Sequence, residues 1–147
     1  MIREAVFAAL TTIAFGLLYQ VRTSILWIAG GIGALAWMAS FTVNLMPGAG
    51  LLGDFVGAFV VGALAEVAAL WKKQPVTIFV VPAIISYVPG YLVYESMVAF
   101  LKNHFNQGMH FGMTAVFSAA SLSLGLALAT ALLRPLLRPH HILNTDS

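Results

Sequence analysis

Between Val76 and Leu101 the chain reads VTIFVVPAIISYVPGYLVYESMVAFL, an apolar run interrupted by Pro82, Pro89 and Gly90. Neither proline has an N–H to donate, and each disturbs the bond to the carbonyl four residues earlier, on Ile78 and Ile85. In lipid such a break is tolerated only against protein or a wet cavity. Ser86 lies four residues after Pro82 and four before Gly90, so all three share a helix face. Freed carbonyls, the Ser86 hydroxyl, Tyr87 and Tyr91 are then the groups available to hydrogen-bond a small polar solute. The plainer role for Ser86 is to donate to its own helix, and tyrosines in such runs more often pack than bind.

Three acidic residues fall inside apolar segments: Asp54, Glu66 and Glu95. By insertion scales each costs about 2.5–3.5 kcal/mol at mid-membrane, so each needs a reason. Glu66 is expected to reach the interface near Lys72 and Lys73, and Glu95 to pair with Lys102. Asp54, close after a turn, suits a helix N-terminus. The sharper reading makes Asp54 or Glu95 a proton carrier coupled to transport. Asp54 and Glu66 lie about 120° apart around one helix and do not form a paired carboxylate site. Asn44 is a further buried polar candidate, for a structural hydrogen bond. His104, His110, His140 and His141 show no ligand-like spacing, so no metal site is expected. Cysteine is absent, and neither a phosphate loop nor a nucleophile motif is present. The chain reads as a non-enzyme without a cofactor.

The elements that hold these groups follow from composition. Of 147 residues, 61% are hydrophobic and 8% charged, against about 25% charged in soluble domains. That surface belongs in lipid, and the net charge of +2 does not indicate nucleic-acid binding. The expected fold class is an all-α integral membrane protein with about five spans near 2–20, 25–46, 50–71, 76–101 and 111–133, the fourth broken. The first run lacks a convincing cleavage site and reads as a membrane helix. Residues 134–147 form a tail. Arg22, Lys72, Lys73, Arg134 and Arg138 fall on one side of such a topology, Arg3 and Lys102 on the other. The basic side is cytoplasmic by the positive-inside rule, which leaves the N-terminus outside. Trp27, Trp71 and Tyr19 near span ends read as interfacial anchors. Small residues that let helices approach recur at Gly53, Gly57, Ala58 and Gly62, with Glu66 at the same spacing, at Ser118, Ser121, Gly125 and Ala129, and at Gly30 and Ala34. Five short helices enclose little volume, so a partner or self-association is expected.

Three segments, GDFVGAFVVGALAEV (53–67), KKQPVTIF (72–79) and VPAIISYVPGYLVY (81–94), in this order resemble the small subunit of the threonine/serine exporter family, equivalent to the C-terminal membrane half of its fused members. The Pro89–Gly90 pair followed by Tyr94 is the most specific piece, and Pro75 and Pro82 agree with it. Family members often carry a further proline and an aliphatic residue where this chain has Ser86 and Tyr87. The resemblance implies a two-component exporter in a bacterial inner membrane. A larger membrane subunit would be the partner, and the proton motive force would drive export of threonine and serine, or succinate in some pairs. It adds Pro89, Gly90 and Tyr94 to Ser86 as expected solute-binding residues. The alternative is a non-transporting subunit that stabilises a larger transporter.

Overall fold

A computed structural model of the chain describes residues 2–46 and 48–137; Pro47, Arg138, His140 and His141 lie outside the described residues, as does the rest of the tail. The described residues are all-helical: α1 (Ile2–Leu18), α2 (Thr23–Asn44), α3 (Gly50–Lys72), α4 (Thr77–Ile84), α5 (Gly90–Leu101) and α6 (Phe105–Leu137). A single 3-10 turn, Ile85–Tyr87, follows α4.

By length and apolarity α2, α3 and α6 can each cross a membrane, and α4 with α5 makes a fourth span bent by 41°. The 17 residues of α1 stand at the short end of the roughly 17–25 that a crossing needs. Where about five spans were expected, three to four helices therefore meet that measure.

The joints are tighter than the residues suggest, because backbone geometry closes them quickly. Lys73 adopts a left-handed conformation (φ 52°), and Gln74 N–H donates to the Ala69 carbonyl at 3.0 Å just before Pro75. Such a left-handed residue followed by proline is an efficient helix stop. Asn103 (φ 61°) ends α5 in the same way, with His104 N–H donating to Ala99 at 2.9 Å. The expected joint from Lys102 to His110 is thus corrected: α6 begins at Phe105, and His110 is helical. At its far end α6 runs through Arg134 and Pro135 to Leu137, so these residues belong to the helix and not to a tail.

The bundle is held by small side chains. α3 is its centre, packed most extensively on α6 and then on α2, while α1 lies on α2. Ala58, Val61 and Ala65 of α3 join Phe79 and Ala83 of α4 in the core. The α3 stripe serves two neighbours. A Cβ on Gly62 would stand 2.7 Å from that of Ala129 on α6, whereas Gly53 is covered by Asn44 of α2 and Gly57 by the Tyr87 ring. Gly125 of α6 meets the Phe55 carbonyl, and Ser121 donates to the Leu51 carbonyl at 2.5 Å. On α2 it is Gly30 and Gly33, rather than Ala34, that admit α1. α4 touches α1, α2 and α3, but α5 packs substantially on α6 alone.

Candidate functional site

The fourth span changes direction where its backbone loses hydrogen bonds. Pro82 sits fully buried within α4. After Ile84 the helix tightens into the 3-10 turn, Val88 is extended (φ −60°, ψ 127°), and Pro89 leads into α5. The Ile85 carbonyl expected to be freed by Pro89 is instead taken by Val88 N–H at 3.3 Å, because the shorter i→i+3 bond reaches it. Gly90 N–H closes the elbow by donating to the Val88 carbonyl at 2.7 Å.

Three buried polar side-chain atoms gather at this elbow without a hydrogen-bond partner: Ser86 Oγ, Tyr87 Oη and Trp37 Nε1. The rings of Trp37 and Tyr87 lie 5.9 Å apart, so α2 and the elbow share one aromatic wall. Trp37 and Ser86 line a cavity of about 370 Å³ that Ile85 and the first half of α1, through Glu4, Ala8 and Thr11, complete. Thr11 is already satisfied, donating to the Phe7 carbonyl at 2.8 Å. Leaving a buried donor unmet costs about 1–3 kcal/mol, and here one indole N–H and two hydroxyls are unmet together. Ser86 and Trp37 belong to the cavity lining and can donate to a hydroxyl, carbonyl or carboxylate oxygen, the Ser86 hydroxyl also accepting from an amine. Tyr87 is not part of that lining, and the hydroxyl-bearing end of its ring lies against Gly57.

Behind this wall the Tyr87 ring fills the space over Gly57 beside Ser40, and Asn44 Nδ2 donates to Ser40 Oγ at 3.4 Å. The Asp54 carboxylate accepts a bond from Ser118 of α6 at 2.5 Å. Asp54 therefore ties α3 to α6, and does more than face its own helix end.

The expected residues divide accordingly. Ser86 reaches the cavity and Pro89 and Gly90 form the elbow, Gly90 with open space where a Cβ would be. Tyr94 is 61% exposed on α5, away from the cavity lining. Glu95 is half-buried on α5, where it interacts with Tyr91 one turn away; no Glu95–Lys102 ion pair forms among the described residues. Glu66 overturns the interfacial reading: it is 1% exposed, and its neighbour is Arg134 Nε at 3.7 Å rather than Lys72 or Lys73. The extension of α6 brings that arginine over it. Among the described residues no three of His, Asp and Glu come together as a metal site would require. Sequence reasoning missed Trp37. Its signal is position, since an indole in the interior of a span is remote from the interfaces where tryptophan finds water.

An all-helical bundle with apolar crossing helices and a bent span has the make-up of a multi-pass membrane protein. The chain belongs to the threonine/serine exporter family, ThrE, whose model matches residues 4–132. No curated protein and no solved structure matches it.

Proposed function

We propose that this chain is the small membrane subunit of a two-component exporter, which moves threonine or serine out of the cell using the proton motive force. Family membership supports the transport class, and the elbow supports a solute site within this subunit. The observation that carries the reading is the coincidence of Ser86 Oγ, Tyr87 Oη and Trp37 Nε1, all buried and unpartnered, at the break in the fourth span. Both candidate amino acids carry a hydroxyl and a carboxylate that the two of these in the cavity lining, Ser86 and Trp37, match. Pro89 and Gly90 keep the break open, and Asp54 is the carboxylate placed to take up a proton beside it, with Glu95 as the second candidate on α5. Tyr94 would contribute from α5 only if that helix turned towards the elbow.

The partner is a larger membrane subunit, and α5 is the surface offered to it. Among the described residues α5 packs substantially on α6 alone, and Tyr91, Tyr94, Met97 and Leu101 stand exposed along it. The charge asymmetry supports a bacterial inner membrane with the N-terminus outside. Export of threonine or serine from dipeptide-loaded cells tests the reading, with expression levels matched. Ser86→Ala and Pro89→Ala should each lower export several-fold; full export in both would remove the elbow from the mechanism. If both remain active while Met97→Arg, on the exposed face of α5, abolishes export by dissociating the complex, the chain is a stabilising subunit instead.

A further inference from the structure

The end of the bundle away from the α5–α6 joint holds charged groups that the elbow does not use. α3 ends there, α4 begins, and α6 delivers Arg134. Between them lies a cavity of about 590 Å³ lined by Lys73, Gln74, Thr77 and Arg134, with Ala69 and Leu70 beside them. Among the described residues the side chains of Lys73, Gln74 and Thr77 have no hydrogen-bond or ion-pair partner within the chain. Lys72, by contrast, is engaged: its ammonium lies 4.4 Å from the centre of the Trp71 ring. That tryptophan is 73% exposed, as suits an anchor at the level of lipid headgroups. Arg134 stands 3.7 Å from the buried Glu66 carboxylate, so these two charges offset each other. Lys73 is left over, and gives the cavity a single net positive charge. A guanidinium has five N–H donors, so Arg134 can stay beside Glu66 and still donate into the cavity it lines.

A second cavity, of about 270 Å³, adjoins the first along α4. Thr77 borders both, and Val21, Ile78, Val81 and Pro82 make the second one largely apolar, with Tyr19 completing it. We infer that the two together bind one anionic phospholipid. Its phosphodiester meets Lys73, Gln74, Thr77 and Arg134, and an acyl chain lies along Ile78 and Val81. The single negative charge of a phosphodiester balances the single net positive charge of the cavity. An ammonium, a guanidinium, an amide and a hydroxyl all supply donors to its oxygens. Free phosphate fits less well, because its second ionisation near neutral pH brings more charge than the cavity offsets, and it leaves the apolar cavity unfilled. Basic pockets between membrane helices on the cytoplasmic side take such headgroups, and the topology proposed from charge puts this pocket in the cytoplasmic leaflet. A lipid seated here fastens the foot of α4 to α3 and α6, and so braces the fourth span below its elbow. The site stands apart from the export reading, and uses the proposed topology only to say which leaflet supplies the lipid.

The test is a titration of the full chain, in a neutral maltoside detergent, with dioctanoyl phosphatidylglycerol, bound lipid being read by native mass spectrometry. Parallel titrations with dioctanoyl phosphatidylcholine, glycerophosphoglycerol and inorganic phosphate separate the possible sources of the anion. Wild type should hold phosphatidylglycerol at least about tenfold more tightly than any of the other three, the margin expected for one charged hydrogen bond. Lys73→Gln should lose about that factor. Lys72→Gln removes the same charge one residue away, from a lysine lying on Trp71, and should bind as wild type does. Thr77→Val, a change of similar shape at an exposed position, should weaken binding several-fold and carries the test if Lys73→Gln does not fold. Equal affinity for phosphatidylcholine, or an equal loss in Lys72→Gln and Lys73→Gln, overturns the inference in favour of general attraction to the surface. Phosphate or glycerophosphoglycerol binding as tightly as the lipid overturns it in favour of a soluble ligand. No outcome here bears on export, which the elbow variants test separately.

Discussion

Removing the Tyr87 hydroxyl separates packing from recognition. The ring fills the space over Gly57 and lies against Trp37, but the oxygen has no partner. Tyr87→Phe should therefore leave thermal stability in detergent within about 1 kcal/mol of wild type, since no intramolecular bond is lost. Export should fall at the same time. An unchanged export rate would show that the hydroxyl does not meet the solute. Asp54 allows a similar division, because Asn at this position still accepts from Ser118. Asp54→Asn should preserve the fold and uncouple export from the proton gradient, whereas Ser118→Ala should lower stability by about 1 kcal/mol with coupling retained. Export assays with and without a protonophore, beside thermal melts, distinguish the two.

At the scale of elements, the glycines differ sharply in what surrounds them. A Cβ on Gly125 would run into the Phe55 carbonyl, which is backbone and cannot step aside, and would lie 3.1 Å from that of Ala58. Gly125→Ala should cost about 1–3 kcal/mol by overpacking the α3–α6 seam. Gly31→Ala, where nothing lies within 4 Å, should be neutral or gain up to about 1 kcal/mol of helix propensity. Unfolding of both variants in one detergent checks the contrast. Much of this architecture was legible in the residues. The apolar runs located the helices, and the Pro89–Gly90 pair located the elbow. The small-residue stripes identified the seams, although spacing alone did not reveal that α3 divides its stripe between α2, the elbow and α6. The environment of Glu66 was hidden for a related reason. Its partner is distant in sequence, on a stretch read as a tail, while Lys72 and Lys73 stood nearby. Trp37 was overlooked because tryptophans at span ends have an evident role and an interior one does not.

For the molecule as a whole, the joints sort to two ends. Tyr19, Val21, Thr77 and Ile78 share a cavity, and a second one lined by Lys73, Gln74, Thr77 and Arg134 lies at the same end; the α5–α6 joint falls at the other. The topology proposed from charge places that joint outside the cell. The absence of cysteine makes the assignment simple to check, since introduced thiols have no background. Gln107→Cys and Gln74→Cys are both at exposed positions. In intact spheroplasts a membrane-impermeant maleimide should label the first and not the second, and lysis should expose the second. The reversed pattern would invert the orientation and move the cavity beside Lys73 and Arg134 to the outer face.

The same arrangement closes a mechanical loop. α5 is tied to α6 by Ser96, which donates to the Gly108 carbonyl at 2.8 Å and lies against Gly112. Further along, α6 is tied to α3 from Ser118 onward. A swing about Pro89 must therefore be absorbed as flexure of α6 between Gly112 and Ser118. Thr114 lies in that stretch, its hydroxyl donating back to the His110 carbonyl at 2.8 Å, a contact that tends to bend helices. A stiffer α6 in that stretch would therefore resist any opening of the elbow.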